Sequence, residues 1–144
     1  MIVKILSSQV PQFWEAIKFA ATQADEVNVE DTQLYLNELL HALLNDKAQC
    51  FTVLDDNRVL VGVLITRIEI DKITGERFLY LQIGYTWKSL EDKIWKETYE
   101  IFRSFATNLQ CKYILFSSRN PAIWNRMEKL GFKEKIRTHS LNLD

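Results

Sequence analysis

The order of segments predicts an α+β fold: a central mixed, mostly antiparallel sheet with four helices, in a single domain over residues 1–144. Three observations predict it. Two stretches with apolar residues at helical spacing precede three consecutive strands joined by tight turns, so the first half reads as an antiparallel meander with helices laid on one side. A long third amphipathic stretch then leads into a short, wholly apolar strand. A short helix, opened by Asn-Pro and closed by Gly, follows that strand.

In chain order, Ile2 to Leu6 alternates apolar residues around Lys4 and reads as a short strand. From Val10, the residues Phe13, Trp14, Ile17, Ala20, Ala21 and Ala24 recur at helical spacing. Asn28, with Asp31 three residues on, signals the cap of a second helix, whose stripe is Leu36, Leu39, Leu40 and Leu43. Gln49 to Leu54 is a strand, Asp55-Asp56-Asn57 a turn, and Arg58 to Ile70 a long strand with Val59, Val61, Val63 and Ile65 on one face. Gly62 inside it marks close packing or a bulge.

Thr74-Gly75 closes a second hairpin into Arg77 to Tyr85. A third helix is expected from about Ser89 to Asn108, burying Ile94, Thr98, Ile101, Phe102, Phe105 and Leu109. Tyr113 to Phe116 is the apolar strand, expected to be covered on both faces. Asn120 and Pro121 start the last helix, Ile123, Met127 and Leu130 form its stripe, and Gly131 ends it. Phe132 to Leu143 is expected to supply one or two closing strands.

At 144 residues the chain can bury a core without disulfides or a metal, and 47% hydrophobic with 26% charged residues is an ordinary globular composition that excludes disorder. The net charge of -1, with Lys and Arg scattered, gives no electrostatic basis for nucleic-acid binding. No segment reaches bilayer length, and Met1 leads into a strand in place of a signal peptide. The expectation is no membrane contact and a cytoplasmic protein where it is made. Cys50 and Cys111 read as buried free thiols.

Several residues invite chemical readings. His41 and His139 have no carboxylate or cysteine at ligand spacing, so no metal site is expected. Glu69 is a candidate general base for an amine, weighed against a plain surface glutamate. Ser117-Ser118-Arg119 is suited to gripping an anion, with no histidine nearby in sequence to activate a serine. Trp95 and Trp124 fall off the apolar stripes of their helices, which makes them candidate anchors of a protein interface.

The run Asn120 to Phe132, N-P-A-I-W-N-R-M-E-K-L-G-F, resembles the last strand-helix-strand unit of the GCN5-related N-acetyltransferase (GNAT) superfamily. Members of that superfamily commonly end in N-x-x-A-x-x-x-Y-E-K-x-G-F. Glu128, Lys129, Leu130, Gly131 and Phe132 match it in unbroken order, and the order of elements along nearly the whole chain is similar too. The resemblance implies a GNAT-like fold. It also implies a loop whose amides and helix start hold the pyrophosphate of acetyl-CoA; in this chain that loop falls on Lys88-Ser89-Leu90-Glu91-Asp92-Lys93. Lys88 stands at the basic first position, but Glu91 and Lys93 replace small residues.

Ser89 and Asp92 read as a capping box that would satisfy the helix's own amides, with Glu91 and Asp92 repelling a diphosphate. Met127 stands where the family's proton-donating tyrosine would be, and a thioether has no proton to give. Asn120 keeps the family's place beside the pantetheine arm and is equally a helix cap. Two readings follow. The preferred one is a GNAT-fold protein without acyl transfer and with no cofactor, a structural or binding module with protein partners or self-assembly, similar in kind to some phage virion proteins. The alternative is a divergent N-acetyltransferase with acetyl-CoA on Lys88, Ser89 and Asn120.

Overall fold

An aspartate closes each hairpin. Asp55 accepts from the amides of Asn57 (2.9 Å) and Val59 (3.0 Å), and Asp71 from those of Ile73 (2.8 Å) and Thr74 (3.1 Å). These amides hold both carboxyls below their ordinary range, the Val59 bond contributing most at Asp55 and the Thr74 bond most at Asp71. The computed structural model describes residues 1–25 and 32–143. The Asn28 and Asp31 capping signal lies outside the described residues.

The turns space out β1 (Ile2–Lys4), a 3-10 turn at Ser7–Gln9, α1 (Val10–Asp25), α2 (Thr32–Leu44), β2 (Ala48–Leu54), β3 (Leu60–Ile70) and β4 (Arg77–Thr86). After them come α3 (Asp92–Asn108), β5 (Tyr113–Phe116) and α4 (Pro121–Lys129). The sheet order is β1-β2-β3-β4-β5, antiparallel as far as β4 and parallel between β4 and β5. On one face α1 and α2 bury Ile17, Ala20, Ala21, Leu39 and Leu43 against Cys50, Val63, Ile65 and Ile83. On the other, Phe102 and Ala106 of α3 pack on Phe51, Val53, Val61 and Leu79, with Phe51 edge-on to Phe102 at 4.9 Å.

The expected single face of Val59, Val61, Val63 and Ile65 is not what forms. Val63 and Ile65 face α1 and α2, Val61 faces α3, and Val59 is exposed. The register explains this: Val53 pairs with Gly62 and Leu54 with Leu60, so Val61 is an extra residue, and a bulge inverts the alternation. Gly62 beside it is closely packed. A Cβ there would lie 3.0 Å from Thr86 Cγ2 and 3.2 Å from both the Tyr85 carbonyl oxygen and Val53 Cβ.

A second bulge lies between β3 and β4, where Ile65 pairs with Ile83 but Thr66 with Leu81, leaving Gln82 without a partner. The β4–β5 ladder runs from Phe78–Tyr113 to Leu81–Phe116 and stops there, while β4 continues to Thr86. The two strands therefore part at the bulge. β5 was expected to be covered on both faces, but all four of its residues are half-buried; its recorded ladder joins it to β4 alone, which puts it at the edge of the sheet among the described residues.

No strand forms among the described residues of 132–143, where one or two were expected. The run does follow β5 backwards: Phe132 meets Phe116 edge-on at 5.4 Å, and Lys135 Nζ lies 3.7 Å from the Tyr113 ring centroid. Beyond these contacts Ile136, Leu141 and Leu143 stay exposed. Alternating residues make a strand only where a neighbouring surface takes one face.

Candidate active site

The parting of β4 from β5 opens a cleft of about 240 Å³. Gln82, Ile83 and Gly84 line it from β4, Phe116 from β5, and Ser117 and Ser118 from the loop that follows. Arg67 fixes Gln82 at the bulge, donating from Nε to Gln82 Oε1 and from Nη2 to Glu38 Oε2 at 2.8 Å. Helix α3 contributes Trp95, Thr98, Tyr99 and Phe102, and α4 contributes Ile123 and Met127. The sequence reading identified α3's sheet-facing stripe and missed Tyr99 on a second one; the i, i+4 spacing of Trp95 and Tyr99 was the available signal.

At the rim the expected capping box is absent. α3 begins at Asp92 with Glu91 as its N-cap, and no side chain caps it. Leu90 packs against the α3-side core and sets the bend ahead of the helix. Asp92 turns outward, and its Oδ1 accepts from Arg126 Nη1 at 2.7 Å. Hydrogen bonding and charge from Arg126 hold the Asp92 carboxyl below its ordinary range. The amides of Ile94 and Trp95 bond to the Glu91 carbonyl, while among the described residues nothing accepts from those of Asp92 and Lys93.

The two acids expected to repel a diphosphate are thus both paired with cations. Besides Asp92 with Arg126, Glu91 lies 3.6 Å from Lys93 Nζ. Arg126 also sits 4.9 Å from the Trp95 ring centroid, which joins α4 to α3 across the cleft rim. Lys88 is on the same bend, 3.4 Å from Asp55, and Ser89 beside it is exposed.

The other candidates disperse. Met127 lines the cleft and is buried. Asn120 caps α4, its Oδ1 accepting from the Ala122 amide at 3.0 Å. Glu69 is exposed near the far end of β3, beside Lys47 and Arg67 and away from the cleft. Trp124 is 45% exposed and donates from Nε1 to the Ser118 carbonyl. His41 and His139 are exposed, and among the described residues no group of three or more His, Cys, Asp or Glu is placed to hold a metal. Burial pushes the Cys50 thiol up to about 12 and keeps it neutral, whereas Cys111, expected buried, is half-buried. Among the described residues no helix is long and apolar enough to cross a membrane.

No family model matches the chain, and no curated protein matches it in sequence. Solved structures do match it. A ribosomal-protein-alanine N-acetyltransferase from Brucella melitensis biovar Abortus 2308 superposes with a TM-score of 0.69 at 16% identity, covering 99% of each chain. The aminoglycoside N-acetyltransferase AAC(6')-Iy, in complex with a CoA bisubstrate analogue, gives 0.70 at 17%, covering 100% of this chain and 97% of that one. An aminoglycoside acetyltransferase from an uncultured soil metagenomic sample gives 0.69 at 14%, covering 100% and 98%. The fold is that of the GNAT acetyltransferases.

Proposed function

We propose that this chain is an N-acyltransferase that takes its acyl group from acetyl-CoA held in the cleft between β4 and β5. The observation that carries this is the uncapped start of α3, whose first acids are paired with Arg126 and Lys93, standing over an apolar cleft. Unbonded amides at a helix start favour an anion, and an apolar cleft with a few polar groups favours an extended organic arm. The preference for an inactive module rested on two features, a self-capped, acid-filled turn and Met127 in the place of a proton-donating tyrosine. With the box unformed and both acids paired with cations, the first of these loses its footing.

The residues divide the work by position. The amides of Asp92 and Lys93, with Lys88 and Ser89 on the bend, would hold the diphosphate. Past Leu81, where the ladder to β5 stops, the backbone of Gln82, Ile83 and Gly84 is unpaired on that side among the described residues and offers polar groups to the pantetheine arm at the cleft floor. Asn120 is occupied as a cap and supports α4. Bound acetyl-CoA supplies the activated acyl group, and the splayed strands let an amine approach from the α1 and α2 side, as suits a fold shared with acetyltransferases of amines.

A thermal shift with acetyl-CoA tests the reading. At 100 times the dissociation constant a binder gains about 2.7 kcal/mol. An unmoved melting temperature up to millimolar ligand would refute it. A protein-contacting role is favoured by a separate observation, the exposure of Trp124 together with Ile136, Leu141 and Leu143 on the same C-terminal quarter. Light scattering tests that role, and a monomer at all concentrations counts against self-assembly.

A further inference from the structure

We propose that Tyr99 delivers the proton to the departing thiolate, an assignment that rests on the acetyl-CoA reading above. Aminolysis of a thioester expels sulfur as an anion, so a donor inside the cleft lowers the barrier. Met127 lines that cleft and has no proton to give. From the elements packed around Tyr99, the lining side chains are apolar, amide or hydroxyl: Leu81, Gln82 and Ile83 of β4, Phe116 of β5, Ser117 and Met127. Among the described residues Tyr99 is the one lining side chain with an ionisable group, and a phenol is a far stronger acid than the serine and threonine alcohols beside it.

Position supports the assignment. Tyr99 lies seven residues beyond the start of α3, roughly 10 Å along the axis at 1.5 Å per residue. An extended pantetheine arm is longer than that, so from a diphosphate at Asp92 and Lys93 a bent arm can bring the sulfur beside Tyr99. The ring is half-buried, and no protein partner bonds its hydroxyl among the described residues. No buried side-chain polar atom among them is unsatisfied either, so the hydroxyl is open to solvent and not sealed in the core.

The step balances. The amine nitrogen bonds to the carbonyl carbon, the carbon–sulfur bond breaks, and sulfur keeps the electron pair and takes the Tyr99 proton. The nitrogen loses one proton, and the phenolate recovers one through water in the cleft. Products are the amide and the free thiol.

The test needs no acceptor amine. CoA and desulfo-CoA, which lacks the sulfur, are titrated by calorimetry into the wild type and Tyr99→Phe at pH 7 and pH 9. A phenol bonded to sulfur stabilises the thiolate, so a one-unit fall in the bound thiol's pKa makes CoA gain about five-fold over desulfo-CoA between those pH values. Tyr99→Phe should abolish that gain and leave desulfo-CoA affinity within about two-fold. If the variant weakens both ligands equally, or keeps the gain, Tyr99 is only a wall of the cleft and the inference is overturned while acetyl-CoA binding stands. If the wild type binds neither ligand, the acetyl-CoA reading falls and takes this inference with it.

Discussion

Gly84→Val separates a ligand cleft from a mere gap in the sheet. Gly84 lines the cleft past the bulge, and a Cβ added there would meet Leu64 Cδ2 at 3.4 Å and nothing nearer. A valine therefore fits the strand, which favours β-branched residues, and the cost or gain without ligand should stay below about 1 kcal/mol. For a chain of this size that is a melting shift of about 3 °C or less. Its two methyl groups, however, stand where a pantetheine arm would lie against β4. Acetyl-CoA at 100 times the wild-type dissociation constant should stabilise the wild type by about 2.7 kcal/mol, or roughly 8 °C. The valine variant should show less than about 2 °C under the same conditions. Differential scanning fluorimetry reads both arms. A folded variant that keeps the full ligand shift would show that the ligand does not pass over Gly84, and the placement of the cofactor between β4 and β5 would be wrong.

Asp92→Asn and Arg126→Gln should act in opposite directions on CoA affinity. The first frees Arg126 and removes an anion from the rim, tightening binding roughly two- to five-fold; the second loosens it by a similar factor, and calorimetry at low and high salt should show both effects shrink with ionic strength. Gly62→Ala tests the first bulge: the added Cβ meets Thr86, the Tyr85 carbonyl and Val53 at 3.0–3.2 Å, so urea denaturation should show a loss of about 1–3 kcal/mol. A neutral result would mean that the strands there yield more than close packing permits.

Much of the fold was legible because its signals are local. The Asn120 cap, Pro121 and the positive-φ Gly131 (φ 102°) delimit α4 through contacts within a few residues, and the structure reproduces that helix. The hairpin aspartates are equally local. Misreadings arose where a residue's neighbour comes from a distant segment. Ser89 and Asp92 have the spacing of a capping box, but Asp92 bonds to Arg126, 34 residues on, and Leu90 is drawn into the core. The closing strand was expected in the run after Gly131, but a strand there needs a neighbouring surface to take one of its faces.

As far as α4, the sequence by itself determined which segments are helix or strand and where the short helix starts and stops, because side-chain periodicity, caps and turns act over one or two turns of chain. Only the tertiary structure decided that Val61 and Gln82 are extra residues in their ladders, that β4 and β5 part at the second of these, and that Tyr99 lines the resulting cleft. Strand register is a choice among pairings of similar local energy, settled by what both faces of the sheet can bury, and so it becomes visible only once the layers are assembled.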